Sequence, residues 1–593
     1  MSAPSFPYIR ERERRILSSK SNVSEKVKGV TKMKHIVRVI SFLLCLVLVG
    51  VAFAGCRRDN NLDQKVDKSK TQLYVKYYNG GFGDEWLNKL CAEFEAMYAD
   101  VSLEDGKMGV QIMKEFTRGQ LTGPDNLKGN RNNVFLMENI DYYTYVASGM
   151  LLDLTDTLND YAVTGKDTKE TARKIAEKIL GSYDEFLNVS GKYYGLPLFE
   201  TSINLNYDID MFEERGLYFA AGKTAEDFTE EDFADERKIS ALFVNNADDP
   251  RAFGPDGAEG TSDDGLPATY KDFRALTIYM KITGVTPFVW NGYETGYLTG
   301  LINDMWANNE GAEQMKYNFT FDGAATSLVE LDANGNVVRN ADGTVKLLPA
   351  TAISEGNKNL LQLQKGKLDA LEFARLLLND GLGNDNSANY YYKSFDSGFS
   401  NINAQNYFLN PDDNGVDPIG FLVDGGWWYN EANVSDRNIG ILPLPKVDAS
   451  QIGKPNTKVS DRSSFIFVSN ETPAAVQPVA KAFVSFLQSD YAMETYTKYT
   501  STFRAMDYDL SAETLATMNT YGKSVYATRN SAGTTVLPWT PISATARKNA
   551  SLLSYRTYGF SVNSQENNPL IYFEDHKSAT AVSYFEAIWK YRK

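Results

Sequence analysis

From residue 72 the chain reads QLYVKYY, then NGGFGDE, then WLNKLCAEFEAMY. The first piece alternates as a strand does, the second breaks the backbone with glycines, and the third returns apolar residues every three or four positions. Trp86, Leu87, Leu90, Cys91, Phe94 and Met97 fall on one helical stripe. GVQIMKEF and NNVFLME repeat the strand signal, and DYYTYVASGMLLDLTDTL is helical up to Gly149 and a turn. This alternation predicts an α/β sheet of largely parallel strands. Ligands of such sheets lie beyond the carboxyl ends of the strands. Those ends are Asn79, Gly80, Gly81 and Phe82, then Glu138 to Asp141, and, after GKYYGLPLFE, Glu200.

Histidine and cysteine narrow the chemistry. Of 593 residues only His35 and His576 are histidines, and His576 has no Ser or Cys nucleophile motif around it. Ser-His-Asp and Cys-His catalysis and His-ligated zinc are thereby disfavoured, leaving carboxylate chemistry or none. The formal charge of −15 argues against a nucleic-acid partner, whose phosphates call for a basic surface.

The N-terminal sequence MKHIVRVISFLLCLVLVGVAFAGC starts at Met33 with Lys34 and Arg38, runs apolar for 15 residues from Val39 to Phe53, and ends in Gly-Cys. The run is short for a membrane span and fits a secretory h-region. FAGC looks like a bacterial lipobox with Phe in place of the usual Leu, so Cys56 is the expected lipidation site. Residues 1–55 then read as a signal peptide whose first 32 residues are an overlong n-region or an early start, and 56–70 as a lipidated tether. Loss of 1–55 removes 10 Lys and Arg and 3 Asp and Glu, leaving 51 against 73 and a formal charge of −22. Cys45 leaves with the signal and Cys56 takes lipid, so Cys91 alone remains and no disulfide forms within the domain. Cys91 reads as a small buried apolar residue.

The middle of the chain carries insertions. LVELDANGNVVRNADGTVKLLPA has Asn-Gly and Asp-Gly turns between short apolar runs and reads as small β-hairpins. GPDGAEGTSDDG clusters Asp256, Glu259, Asp263 and Asp264 among glycines; its hard oxygens suit a structural calcium ion, although the spacing is not that of an EF-hand, and a solvated acidic turn is the alternative. No other cofactor is called for. No run repeats at solenoid spacing.

YNGGFGDEWLNKLCAEFE, GMLLDL, GKYYGLPLFETSINLNYDIDMFEERGL, FLVDGGWWYN, NIGILPLPK and FVSFLQSDYAMETYTKY occur in this order over about residues 71–510. The chain thereby resembles extracellular solute-binding lipoproteins of ABC transporters, in their carbohydrate-binding, maltodextrin-binding-protein-like branch. The resemblance implies an α/β, two-lobe periplasmic-binding-protein-like fold of type II, with a hinge between the lobes and the hairpins as insertions. Lobe 1 would comprise 71–200 and a return segment 461–500, and lobe 2 would comprise 201–460 and 501–593. It implies capture of a carbohydrate, an oligosaccharide above all, between the lobes and delivery to permease subunits, by a monomer held through lipid on the outer face of a bacterial membrane.

The site residues follow partly from this resemblance. Trp427 matches the family's sugar-stacking position, Glu200 its ligand-contacting carboxylate, and Glu138 its acidic contact. FLVDGGWWYN reads as a strand, in which Trp427 and Trp428 point to opposite faces and glycines 425 and 426 leave bare backbone for a ligand. An indole covers the C–H face of a sugar at low entropic cost. Asp141 reads as a helix cap. Asn79, Gly80, Gly81 and Phe82 offer backbone N–H groups, Trp290, Asn291 and Tyr293 form a second platform, and Arg504 offers a fork to a carboxylate. Two rivals remain: a secreted glycoside hydrolase, which also pairs acids with aromatics, and a binding protein of the same fold that feeds a membrane kinase.

Overall fold

The structure, a computed structural model, describes residues 64–592 except 163–171, 379–389, 394, 435, 461–463, 531–534, 539–558 and 564–565. The signal region and Cys56 lie outside the described residues. Thirteen strands are present among them: β1 (Thr71–Tyr78), β2 (Val110–Thr117), β3 (Val134–Met137), β4 (Leu196–Pro197), β5 (Ile203–Asp208), β6 (Thr286–Trp290), β7 (Gly323–Ala325), β8 (Thr351–Ile353), β9 (Ile419–Gly425), β10 (Ile439–Leu442), β11 (Thr457–Ser460), β12 (Phe465–Val468) and β13 (Thr535–Pro538).

Two sheets make two lobes. The first has the order β2-β1-β3-β12-β4 and the second β10-β5-β9-β6. In lobe 1, β1 runs parallel to β2 over its whole length, with Tyr78 opposite Thr117, and parallel to β3. Their carboxyl ends therefore emerge on one edge. The largely parallel sheet expected from the sequence holds only for this core, because β12 is antiparallel to both β3 and β4. In lobe 2, β6 and β9 are parallel, and β5 is antiparallel to β9 and β10. The antiparallel strands adjoin crossings: β5 and β12 come in from the other lobe, and β4 leads out of lobe 1.

The helix Glu85–Met97 buries Trp86, Leu87, Leu90, Cys91 and Phe94 against lobe 1, with Trp86 edge-on to Tyr496 at 5.0 Å. Burial pushes the Cys91 thiol up to about 12. Met97, on the same stripe, is exposed because the helix ends there. Asp141 caps the next helix, accepting from the Thr144 backbone N–H and hydroxyl, and Gly149 closes the turn at φ 72°. In the insertions, Leu331 pairs with Val337 and Arg339 with Val345, with Gly335 and Gly343 at φ 81° and 86° in the turns. The C-terminal helix Ala581–Arg592 covers them, and Glu586 accepts from the Val337 N–H.

In the acidic loop the carboxylates are engaged locally. Asp263 accepts from Asp256 N and Thr261 Oγ1, Asp256 from Ala258 N, and Asp264 from Gly260 N. Among the described residues no group of three His, Cys, Asp or Glu is arranged to hold a metal ion; Asp256, Asp263 and Asp264 instead gather around the Thr261 hydroxyl, at 3.4, 2.5 and 3.4 Å. The loop holds its shape by Asx-type turns.

Three segments cross between the lobes: residues 198–202 from β4 to β5, the stretch from β10 through β11 to β12, and the stretch after the helix Asp490–Thr500. The third stays with lobe 1 past Thr500, since Met506 bridges Ile179 and Asp507 N donates to Lys178 O. Arg504 ties these pieces together. Its fully buried guanidinium donates to Leu198 O at 2.6 Å, Leu487 O at 3.0 Å, Pro197 O at 3.3 Å and Gln488 Oε1 at 3.0 Å. It is a structural clamp on three backbone carbonyls and a side-chain amide, not the carboxylate fork read from the sequence. Arg504→Ala is expected to cost about 3–5 kcal/mol of stability by urea denaturation, since four buried acceptors lose their donor, and Arg504→Lys to recover little of it because an ammonium lacks the planar fork.

Candidate functional site

Between the strand ends of lobe 1 and the helical turn after β9 lies a cavity of about 380 Å³. Lobe 1 lines it with Tyr78, Asn79, Gly80, Gly81, Gly83, Arg118 and Glu138, and lobe 2 with Tyr297, Trp427, Asn430 and Glu431. The lobe-1 wall starts from three glycines at positive φ, Gly80 (59°), Gly81 (92°) and Gly83 (77°). Asn79 Oδ1 accepts from Gly81 N at 3.1 Å and Gly83 N at 2.9 Å. Those N–H groups are therefore spent on folding the loop and do not meet a ligand as expected. Asn79 lines the cavity with its side-chain oxygen held in the loop. Phe82 turns the other way into the core, 4.4 Å from Phe199. Glu138 is buried at the end of β3, and a Cβ on Gly80 would stand 2.6 Å from its Oε1. Only glycine at position 80 lets that carboxylate lie there.

The lobe-2 wall corrects the reading of the tryptophan pair. Strand β9 ends at Gly425, and Trp427 already has helical angles, φ −79° and ψ −21°, as cap of the turn Trp428–Glu431. Trp427, Asn430 and Glu431 stand at i, i+3 and i+4, one helical face, and that face lines the cavity. Trp428 points away into a second core cluster with Phe408 and Tyr521 and takes no part. The bare backbone serves the protein's own indole: a Cβ on Gly425 would lie 2.2 Å from Trp427 Cη2, and one on Gly81 3.1 Å from Trp427 Cδ1. Trp427 thus sits between Phe82 of lobe 1 and Tyr297 of lobe 2, edge-on to both at 6.5 Å and 5.5 Å. Asn430 Nδ2 donates to Thr500 O across the lobes.

Behind this turn, Gln405 Nε2 donates to Asp424 Oδ2 at 2.9 Å and to Glu431 Oε2 at 3.0 Å, and Asn401 adds a bond to Glu431. Burial, with Glu431 as a further repulsive charge, pushes the Asp424 carboxyl up to about 7. The rim residue Arg118 is exposed and has no ion pair among the described residues.

Glu200 lines a separate pocket of about 40 Å³ at the hinge, where it accepts from Arg529 Nε at 3.2 Å. It is a hinge ion pair, not a wall of the main cavity. Trp290 is fully buried, stacked on Tyr391 at 5.1 Å. Asn291 Oδ1 accepts from Tyr293 N and Glu294 N, which uses it as a turn cap, and Tyr293 is 68 % exposed outside the cavity. These three form no platform there. Tyr78, Arg118, Tyr297, Asn430 and Glu431 were missed. Arg118 follows the carboxyl end of β2, so the strand-end rule reaches it; Asn430 and Glu431 appear once the tryptophan turn is read as helix; nothing in the sequence singles out Tyr297.

With the geometry in hand, comparison locates the fold. No family model matches the chain, and no curated protein sequence matches it. Among solved structures, the apo form of RafE from Streptococcus pneumoniae aligns with 89 % of this chain and 98 % of its own, at 13 % identity and a TM-score of 0.50. The chain shares the RafE fold. RafE in complex with raffinose gives 13 % identity and a TM-score of 0.49 over 88 % of this chain and 98 % of that one. A chitin oligosaccharide binding protein gives 14 % and 0.48, again over 88 % and 98 %.

Two outcomes follow. Gly425→Ala drives a methyl into the indole and is expected to shift Trp427 fluorescence and to weaken ligand binding at least about tenfold while the secondary structure persists. Asp424 has a folded-state value above the ordinary 3.8, so the folded protein keeps a proton that the unfolded chain has lost. Its stabilisation is complete below about pH 4 and is lost as pH rises through 7. Asp424→Asn is expected to flatten the decline in melting temperature between pH 5 and pH 8.

Proposed function

We propose that the protein is the capture component of an ABC importer, binding a carbohydrate between its lobes and presenting it to a membrane permease. The observation that carries this reading is the composition of the cleft: Trp427, 4 % exposed with both lobes packed on it, beside a buried carboxylate, amides and tyrosines contributed by both lobes. Carboxylates accept from hydroxyls and amides both donate and accept, while an indole covers the apolar face of a sugar ring. A volume of about 380 Å³ is near the lower end of ligand pockets, about 300–1,000 Å³, and suits a short saccharide.

Closure follows from the contacts that span the lobes. Trp427 against Phe82 and Gly81, Asn430 to Thr500 and Glu200 to Arg529 bring both walls together, so that a ligand bound by both lobes is shielded from water. The chemistry is binding alone under this reading, and no cofactor enters it. The chain is held on the outer face of the cell membrane by lipid on Cys56.

A thermal-shift screen against neutral and acidic oligosaccharides, raffinose and chito-oligosaccharides among them, tests the proposal, since a ligand selective for the folded state raises the melting temperature. A hit whose affinity falls at least about tenfold in Trp427→Ala is expected. Multi-turnover release of reducing ends would instead establish a hydrolase. Silence across the panel would remove the carbohydrate reading. In cells, Cys56→Ser is expected to move the protein from the membrane fraction to the medium.

A further inference from the structure

Lobe 1 has two ends. One is the cavity edge, where β1 and β2 finish at Tyr78 and Thr117; the other is where they begin, at Thr71 and Val110. Of the eleven exposed large apolar side chains among the described residues, four stand at that beginning: Val66 (41 %), Met97 (42 %), Val101 (37 %) and Met108 (54 %). The segments carrying them are laced together. Met108 N donates to Ser69 O, Gly109 N to Val101 O and Val101 N to Tyr98 O, while the Gln111 side chain holds both Lys65 O and Asp67 N. Val66, Val101 and Met108 thereby share one surface, and Met97 adjoins it at a groove that it lines with Tyr98, Asp156 and Lys481.

The charge there differs from the rest of the protein. Residues 64–70 and 97–108 hold four Lys and four acids in a chain that carries −22 after Cys56 is exposed. Asp67 is occupied by Ser69 N and Oγ, and Glu104 pairs with Lys107. Lys65, Lys68 and Lys70 have no ion pair among the described residues and surround Val66. Asp100 and Asp105 are exposed there too without an ion pair among the described residues, so the end is an apolar face of mixed, balanced charge.

Covalent connection selects its occupant. Gln64, the first described residue, belongs to this face and lies eight positions after Cys56, which fully extended chain spans in at most about 29 Å. Arg57 and Arg58 directly follow Cys56 in the sequence. A lipid on Cys56 therefore keeps this end, more than any other, within reach of a bilayer. We propose that Val66, Met97, Val101 and Met108, interspersed with Lys65, Lys68 and Lys70, are a membrane-contact face that rests this end of lobe 1 on the bilayer. The inference rests on the lipid-anchored reading. Apolar side chains at headgroup depth and lysines against anionic lipid would act together, as at an interfacial helix.

Single-cysteine labelling tests it on the full lipidated protein, because Cys91 is buried and Cys56 is blocked by its lipid. An environment-sensitive dye on Met108→Cys, in vesicles of phosphatidylcholine and phosphatidylglycerol containing nitroxide-labelled lipid, is expected to be quenched at least about threefold more than the same dye on Tyr293→Cys. The quenching of a dye on Val66→Cys is expected to fall to the Tyr293→Cys level when Met97→Asp and Met108→Asp are added, with flotation of the vesicles carrying the protein unchanged. Flotation without quenching at position 108 would overturn the membrane face and leave the anchor standing. Quenching that appears only with permease subunits present would assign the face to a protein instead, and failure to float would remove both readings.

Discussion

Everything about the cleft depends on a guanidinium that never reaches it. The segment leaving β4 has to cross from one sheet to the other, and at the crossing its carbonyls have no strand to pair with. Arg504 supplies the missing donors to Pro197 O and Leu198 O and, in the same plane, to Leu487 O and Gln488 Oε1. Desolvation lowers its own affinity for a proton, to about 10, which still leaves it charged at any neutral pH. By fixing residues 197–198 it fixes where β5 starts, and Ile203 of β5 pairs with Gly425 of β9. The position of the tryptophan turn is thus inherited from a clamp in the other lobe.

Close approach is achieved by leaving atoms out. Gly80 makes room for the Glu138 carboxylate, while Gly81 and Gly425 make room for two sides of the Trp427 indole. A rigid aromatic wall held this way has little freedom left to lose when a ligand arrives, which is where binding free energy is otherwise dissipated. Three acids in the region then take three roles set by their surroundings. Glu138 lies at the cavity, Glu200 is spent on Arg529 at the hinge, and Asp424 is buried behind the wall, where it keeps its proton up to about pH 7.

The strand ends of lobe 1 were legible because periodicity and glycine breaks are local signals, whereas the two lobes were implied by the resemblance to solute-binding proteins. Asn79 and Glu138, at those strand ends, line the cavity, and so does Trp427, which the resemblance singled out. The errors share a cause. Glu200, Arg504 and Trp290 carry the residue types of a binding site, yet whether such a group faces ligand or partner is decided by chain segments far away: Arg529 lies 329 positions from Glu200, and Leu198 lies 306 from Arg504. The FLVDGGWWYN stretch failed differently. Its apolar run continues past the glycines, and nothing local marks where strand period two yields to helical 3.6, so Asn430 and Glu431 were missed.

The architecture of lobe 1 separates capture from attachment. Strand β1 spans eight residues, about 25 Å at the rise of a strand, with Thr71 beside that apolar face and Tyr78 at the cavity. Its side chains are alternately buried throughout, and it is bonded on both edges, to β2 and β3. A strand so held transmits position but does not bend. Under the lipid-anchored reading proposed above, a pull on the N-terminal segment would reach the cavity as rigid motion of lobe 1. With lobe 1 held in that way, closure on a ligand would move lobe 2 about the three crossings and the Glu200–Arg529 pair beside them.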